Sequence, residues 1–258
     1  MALTTQQKNE IKQVIKICLR NKFQNYKPES SSMPFHFRLL GKDRMALYSF
    51  IQSLNTTFGT SIFEPVAVAL AKMNFRKAEK QYTVGDQISE SAQRVIQNIL
   101  DDLAIHGKPN KIEEVKRIRA VCQTGVVDKK KPCKADLFVE NYQNEMFLFD
   151  LKTVKPNKGN FKEFKRTLLE WTGIVLHNNP SAKVNTLIAI PYNPYEPKPY
   201  ERWTLAGMLD LSQELKVADE FWNFLGGEGT YNELLGCFEN AGIELRKEID
   251  TYFSKFKI

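Results

Sequence analysis

Two acids and a lysine in the middle of this chain have the types and spacing that chemistry on a phosphodiester requires. Asp136 lies near the start of a short apolar run, Ala135 to Glu140 (ADLFVE), and Asp150 and Lys152 lie in a second run, Met146 to Val154 (MFLFDLKTV). Asn141-Tyr142-Gln143-Asn144-Glu145 between them has the composition of a turn, so the runs are expected to form a β-hairpin. A hairpin brings one acid from each strand to the same place. Side chains alternate along a strand, so Lys152 shares a face with Asp150 while Leu151 points away. Phosphodiester hydrolysis calls for a divalent metal held by carboxylates and for a cation near the attacking water or the scissile phosphate. Asp136 and Asp150 suit the first task and Lys152 the second. The backbone carbonyl of Leu151 can add a further metal ligand.

An acid, any residue, then lysine is a common pattern. Glu10-Ile11-Lys12, Glu114-Val115-Lys116, Glu163-Phe164-Lys165 and Glu214-Leu215-Lys216 repeat it, in segments with helical, solvent-facing patterns where they read as surface charges. Only Asp150-Leu151-Lys152 sits inside an apolar strand and follows a strand that carries an acid. A charged pair in such a run is costly to bury unless it is paired or binds metal. The plainer alternative is a buried Asp–Lys ion pair, or an edge strand with polar ends.

Glu64 is a candidate third acid, and two readings of it stand open. It opens an apolar helical stretch, Ile62 to Met73, and an acid projected from a helix onto the sheet would complete a metal shell. Equally, Ser61-x-x-Glu64 has the spacing of a capping box, although Pro65 prefers the first helical position. His36, His106 and His177 are scattered; His36 reads as local packing and His177 as a capping or surface residue. No Ser-His-Asp or Cys-His set is visible, and Gly226-Gly227-Glu228-Gly229 lacks the lysine and preceding strand of a phosphate-binding loop. Cys18, Cys122, Cys133 and Cys237 show no C-x-x-C spacing, so a structural zinc site is not expected and the thiols are expected to stay reduced.

The elements that must position these residues follow from periodicity. An amphipathic N-terminal helix is followed by helical patterns over 43–54, 62–73 and 88–104, with NTTFGTS read as a turn between the first two of these. A helix is expected from about Asn160 to His177 and a buried strand from Val184 to Pro191. From Trp203 onward the chain reads as mainly helical, broken at Gly226-Gly227-Glu228-Gly229. Strand, strand, helix, strand implies a mixed sheet with a crossover helix. The expected fold is α/β, a mixed central sheet with flanking helices. It forms a single domain over 1–258: a mainly helical part to 110, a catalytic core over 111–195 and a mainly helical remainder.

The chain has 258 residues, 42% of them apolar, enough for a sizeable core, and no apolar run long enough to span a membrane; with no secretory pattern at its N-terminus it is expected in the cytoplasm. Its net charge of +7 favours a polyanionic partner. Lys129, Lys130, Lys131 and Lys134 precede the first strand, and Lys155, Lys158, Lys162, Lys165 and Arg166 follow the second. Basic clusters flanking an acidic pair suit contacts to DNA phosphates, which position a protein without specifying sequence. Lys198 and Arg202, in the proline-rich loop after the last strand, are candidates for reading bases.

Asp136 followed by Asp150-Leu151-Lys152 resembles the PD-(D/E)XK nuclease superfamily, with Ala135 where the name has proline. FGTSIFEPVA, KADLFVE with FLFDLKTVKPNKGNF, and EFWNFLGGEGTYNELLGCFENAGIELRKEID are similar to the TdeIII group of type II restriction endonucleases, over most of the chain from about residue 43. The resemblance implies a restriction-endonuclease-like core and Mg²⁺-dependent cleavage of both strands of duplex DNA at a short palindromic site. It points to a target of the GGNCC type, to a homodimer and to a cognate DNA methyltransferase that protects host DNA. A repair or recombination nuclease of the same fold is the alternative, separated by cleavage of plain duplex DNA at one sequence. A DNA-binding protein without catalysis is another, disfavoured because acids facing phosphate would serve no purpose in it.

Overall fold

The computed structural model describes residues 3–27, 33–105, 107–152, 161–201 and 207–255. The hairpin forms as its sequence implies. Strands β2 (Val127–Glu140) and β3 (Glu145–Leu151) pair antiparallel, Leu137 opposite Phe149 and Glu140 opposite Met146. The Asn141 side chain closes the turn by accepting from the N–H groups of Gln143 and Glu145, both at 2.9 Å, and Asn144 takes the left-handed conformation that asparagine tolerates.

After β3 the chain passes through helix α7 (Phe161–Asn178) and returns as β4 (Lys183–Ile190), parallel to β3. The short strand β5 (Leu215–Val217) continues the sheet parallel to β4. At the opposite edge β1 (Lys77–Ser89) pairs antiparallel with β2, giving a five-stranded mixed sheet in the order β1-β2-β3-β4-β5. The α/β class and mixed sheet are as expected, but β1, most of it between the expected helices, and β5 lie in the two parts expected to be mainly helical. The apolar periodicity of β1 is diluted because it is an edge strand: Ala78, Val84 and Ile88 turn inward while most of its other residues face water.

Each face of the sheet is covered by helices. On one side α5 (Glu90–Ile105), α6 (Lys111–Arg119) and α7 pack Ile96, Leu100, Ile118, Leu168, Trp171 and Ile174 against Ile88, Phe138, Leu148 and Ile188. Glycine sets the approach of α7 to β1: a Cβ on Gly85 would lie 2.7 Å from Ile174, and one on Gly173 would lie 2.6 Å from Ile88. On the other side α1 (Thr5–Asn25), α4 (Glu64–Ala71), α8 (Asp219–Gly226) and α9 (Thr230–Glu244) pack Ile11, Val66, Leu70, Trp222 and Leu234 towards Leu137, Val139, Phe149 and Leu187. Beyond this layer α2 (Pro34–Leu40), α3 (Lys42–Phe58) and α10 (Arg246–Ser254) complete the fold, with Phe50 of α3 against Phe23, Tyr252 and Phe253.

NTTFGTS does not break the chain as expected. Helix runs through it: α3 ends at Phe58, a π-helical segment spans Gly59–Phe63, and α4 follows directly. The N–H of Glu64 donates to the carbonyl of Gly59, the wider loop that defines a π-bulge. The four cysteines are free thiols. Among the described residues no helix is long and apolar enough to cross a membrane.

Candidate active site

Asp136 and Asp150 occupy facing positions on β2 and β3, one step beyond the Leu137–Phe149 pair. There the backbone ladder gives way to a side chain: the N–H of Leu151 donates to Asp136 Oδ2 at 2.8 Å. Lys152 extends the pairing with β4, its N–H donating to the Ala189 carbonyl at 2.9 Å. Its Nζ lies 2.7 Å from Asp150 Oδ1 and 4.7 Å from the centre of the Phe164 ring on α7. The lysine is thus clamped between a carboxylate and an aromatic face.

Asp150 is 7% exposed. Burial pushes its pKa up to about 6 against the opposing pull of Lys152, and Asp136 raises it further by charge and as a hydrogen-bond partner. Two carboxylates this close resist ionising together, which makes the pair a place where a cation is welcome.

Glu64 arrives from another direction, at the first position of α4. It is buried at 1% exposure, and among the described residues it makes no ion pair. Burial raises its pKa above the usual carboxylate range, opposed by hydrogen bonding from Gln81. Both carboxylate oxygens accept from Gln81 Nε2 at 3.0 Å, and no side-chain hydrogen bond caps α4. The side chain therefore reaches towards β1 and β2 instead of closing a capping box.

Gln81, which the sequence reading did not single out, joins the acids. Lys80 pairs with Leu137 and Tyr82 with Ala135, so Gln81 stands opposite Asp136, and its Nε2 lies 3.4 Å from Asp136 Oδ1. Its φ is 52°, a left-handed conformation inside a strand that costs a residue with a side chain about 1–2 kcal/mol. Strain of this kind collects where structure serves function. A lone glutamine in a charged segment gives no sequence signal for such a role.

Glu64, Asp136 and Asp150 supply hard oxygen donors and include one buried acid with a neutral amide as its partner. Such a set suits a divalent cation of the magnesium, calcium or manganese kind. As the side chains stand, no three acidic, histidine or cysteine groups among the described residues converge into a metal cage. Glu64 and Asp136 are instead bridged by the Gln81 amide.

The expected DNA-contacting residues separate in space. Lys155 and Lys158 lie outside the described residues, as does Arg202. Lys162 is half-exposed and pairs with Asp101 at 3.3 Å, and Arg166 donates to Gln97 at 3.0 Å. Lys165 does not fit the expectation. It is fully buried, with Nζ 2.5 Å from Glu114 and 2.6 Å from Glu214, while Lys111 also bonds Glu214 at 3.1 Å. This closed network joins α6, α7 and the residue before β5 and leaves Lys165 no surface for a phosphate. Glu114 and Glu214, read from the sequence as surface charges, are buried in it. On β2, Lys131 and Lys134 are exposed. His177, expected to cap a helix or lie on the surface, is half-buried near the end of α7 with its Nδ1 2.9 Å from the Cys122 carbonyl.

A mixed sheet covered by helices on both faces, with an acid pair and a lysine where its central hairpin ends, is consistent with the core of a restriction endonuclease. Residues 3–242 match the type II restriction endonuclease HinfI family, and the chain belongs to it. It is 25% identical over 221 residues to the type II restriction enzyme HgiCII of Herpetosiphon aurantiacus, covering 84% of this chain and 80% of the relative. Identity with HgiEI from the same organism is 27% over 221 residues, covering 84% of this chain and 79% of that one. The type II restriction enzyme MjaII of Methanocaldococcus jannaschii is 28% identical over 226 residues, 76% of this chain but 59% of MjaII. The family that matches is HinfI, and these comparisons add nothing to the TdeIII resemblance. The protein is a type II restriction endonuclease, a site-specific deoxyribonuclease acting on DNA, and enzymes of this type use divalent metal ions.

Proposed function

We propose that this endonuclease hydrolyses both strands of duplex DNA at a short palindromic site with Mg²⁺, through Asp136, Asp150, Lys152 and Glu64. The observation that carries this reading is the facing pair Asp136 and Asp150 with Lys152 Nζ held 2.7 Å from Asp150. Asp136, Asp150 and the Leu151 carbonyl hold the ion, with Glu64 completing the set from α4. The bound ion supplies Lewis-acid chemistry at the scissile phosphate. Lys152 orients the attacking water and offsets negative charge developing on the phosphate, and Phe164 keeps the ammonium from swinging away. Lys155, Lys158, Lys162 and Arg166 contact DNA phosphates, joined by Lys131 and Lys134; Lys165 is withdrawn from that set.

One active centre cuts one strand, so a palindrome is cut simply by two copies about a two-fold axis, and a homodimer follows. A target of the GGNCC type is the first to try. In its host the enzyme works in the cytoplasm beside a DNA methyltransferase of the same specificity. The test is digestion of plasmid DNA of known sequence with Mg²⁺, wild type against Asp150→Asn, with the product ends mapped. Discrete fragments with ends at one repeated sequence, absent with the variant, are expected. Equal cleavage by both proteins would sink the assignment.

A further inference from the structure

We propose that Gln81 is a further ligand of the divalent cation, through Oε1, reached from its observed position by a half-turn of the side-chain amide. The inference rests on the reading of Asp136 and Asp150 as the metal-holding pair. Three observations carry it.

The first is register. Gln81 on β1 faces Asp136 on β2, which faces Asp150 on β3, so the three form one row across adjacent strands. The second is the amide's place between acids from separate elements. Nε2 lies 3.0 Å from each Glu64 oxygen and 3.4 Å from Asp136 Oδ1, so a partial positive charge stands where a cation would neutralise both carboxylates. The third is the backbone. A left-handed φ of 52° in a strand is disfavoured for glutamine, yet here it accompanies a side chain aimed at the acids.

An amide carries a hydrogen-bond donor and a hard oxygen acceptor at the same reach, and amide oxygens are ordinary ligands for hard divalent ions. Rotation about the last side-chain bond exchanges the two ends without moving the strand. Gln81 is exposed, so the rotation meets little packing. Glu64 and Asp136, no longer bridged by an N–H₂ group, would then close on the ion together with Oε1.

The test is Mn²⁺ binding to the full chain without DNA, read by electron paramagnetic resonance as loss of the free-ion signal. Gln81→Gly removes the side chain and suits the left-handed backbone, so the fold should hold, which thermal unfolding in EDTA checks. Gln81→Glu keeps an oxygen at the same reach. Gln81→Gly should weaken Mn²⁺ binding by about 10-fold or more, the scale seen when groups that tune a metal site are lost. Gln81→Glu should bind at least as well as wild type. Wild-type affinity in Gln81→Gly, tighter binding there, or equal weakening in both variants would overturn the proposal. Asp150→Asn separates the two readings. If it binds Mn²⁺ like wild type, the metal-holding pair itself is misassigned; if it loses the ion while Gln81→Gly keeps it, only the role of Gln81 falls.

Discussion

Asp136 Oδ2 accepts the backbone N–H of Leu151 at 2.8 Å, so one carboxylate both continues the β2–β3 ladder and faces Asp150. With Asp136 in the proposed metal-holding role, chemistry and folding are tied to the same side chain, and the two contributions can be separated. Asp136→Asn keeps an oxygen that can accept from Leu151 but loses the charge proposed to hold a cation. It should unfold near the wild-type midpoint and lose cleavage by about 100-fold or more. Asp136→Ala loses both, and an unpaired amide should lower stability by about 1–3 kcal/mol in urea unfolding. Cleavage by Asp136→Asn at the wild-type rate would remove Asp136 from the site.

Lys165 and Glu214 are each 0% exposed and bonded at 2.6 Å, with Glu114 and Lys111 closing the group. Breaking a buried pair from one side strands the remaining charge. Lys165→Met should cost about 3–5 kcal/mol of stability by urea unfolding. Its effect on DNA affinity, measured below the unfolding transition, should be negligible. A variant of wild-type stability that binds DNA poorly would return Lys165 to the DNA surface.

The hairpin, crossover helix and acid-x-lysine strand were legible in the sequence because each is a local pattern. Met146 to Leu151 alternates little and is apolar but for Asp150, which stands out in that setting, and Asn141 marks its turn. Lys165 was misjudged for the opposite reason. Its neighbours Lys162 and Arg166 do reach the surface, and the acids that bury Lys165 come from residues 114 and 214, a pairing only tertiary structure makes. Gln81 and β1 escaped because an edge strand shows its apolar period weakly. The π-bulge at Gly59 escaped because glycine followed by threonine and serine reads as a turn.

Protein stripped of divalent ions with EDTA should show the titration of Asp150. Its folded pKa, about 6, lies above the ordinary carboxylate value of 3.8, so the folded chain binds the proton more tightly than the unfolded one. Between these values the folded state carries more protons, and stability falls as pH rises. The contribution, at most about 3 kcal/mol, is present below the unfolded value and gone above the folded one. Thermal unfolding between pH 4 and 7 should show a steeper fall in wild type than in Asp150→Asn, where the buried Glu64 carboxyl, its pKa also raised, still contributes a fall of the same sign. Parallel curves for the two proteins would refute the assignment.

DNA affinity, measured with Ca²⁺ in place of Mg²⁺, should fall steeply with salt. Each phosphate neutralised by lysine or arginine releases counterions, so the logarithm of affinity declines linearly with the logarithm of salt. Lys131→Ala and Lys134→Ala should each reduce that slope by about 1 if each contacts one phosphate. An unchanged slope in both would place DNA on another face.

Glu64 gives the sharpest choice between a metal role and a helix-capping one. No side-chain hydrogen bond caps α4, and both Glu64 oxygens are spent on Gln81. Burial raises the pKa of its carboxyl, the hydrogen bonds from the neutral Gln81 amide oppose that rise, and among the described residues it makes no ion pair. Glu64→Gln removes this charge with almost no change in size. If the charge is there for a cation, the variant should fold normally and cleave DNA about 10-fold more slowly at low Mg²⁺, recovering in part as Mg²⁺ rises. If Glu64 only shapes the start of α4, cleavage should follow the wild-type curve at every Mg²⁺ concentration, because glutamine can occupy the same place. Initial rates across a Mg²⁺ series, on protein whose thermal unfolding in EDTA is unchanged, decide between the two.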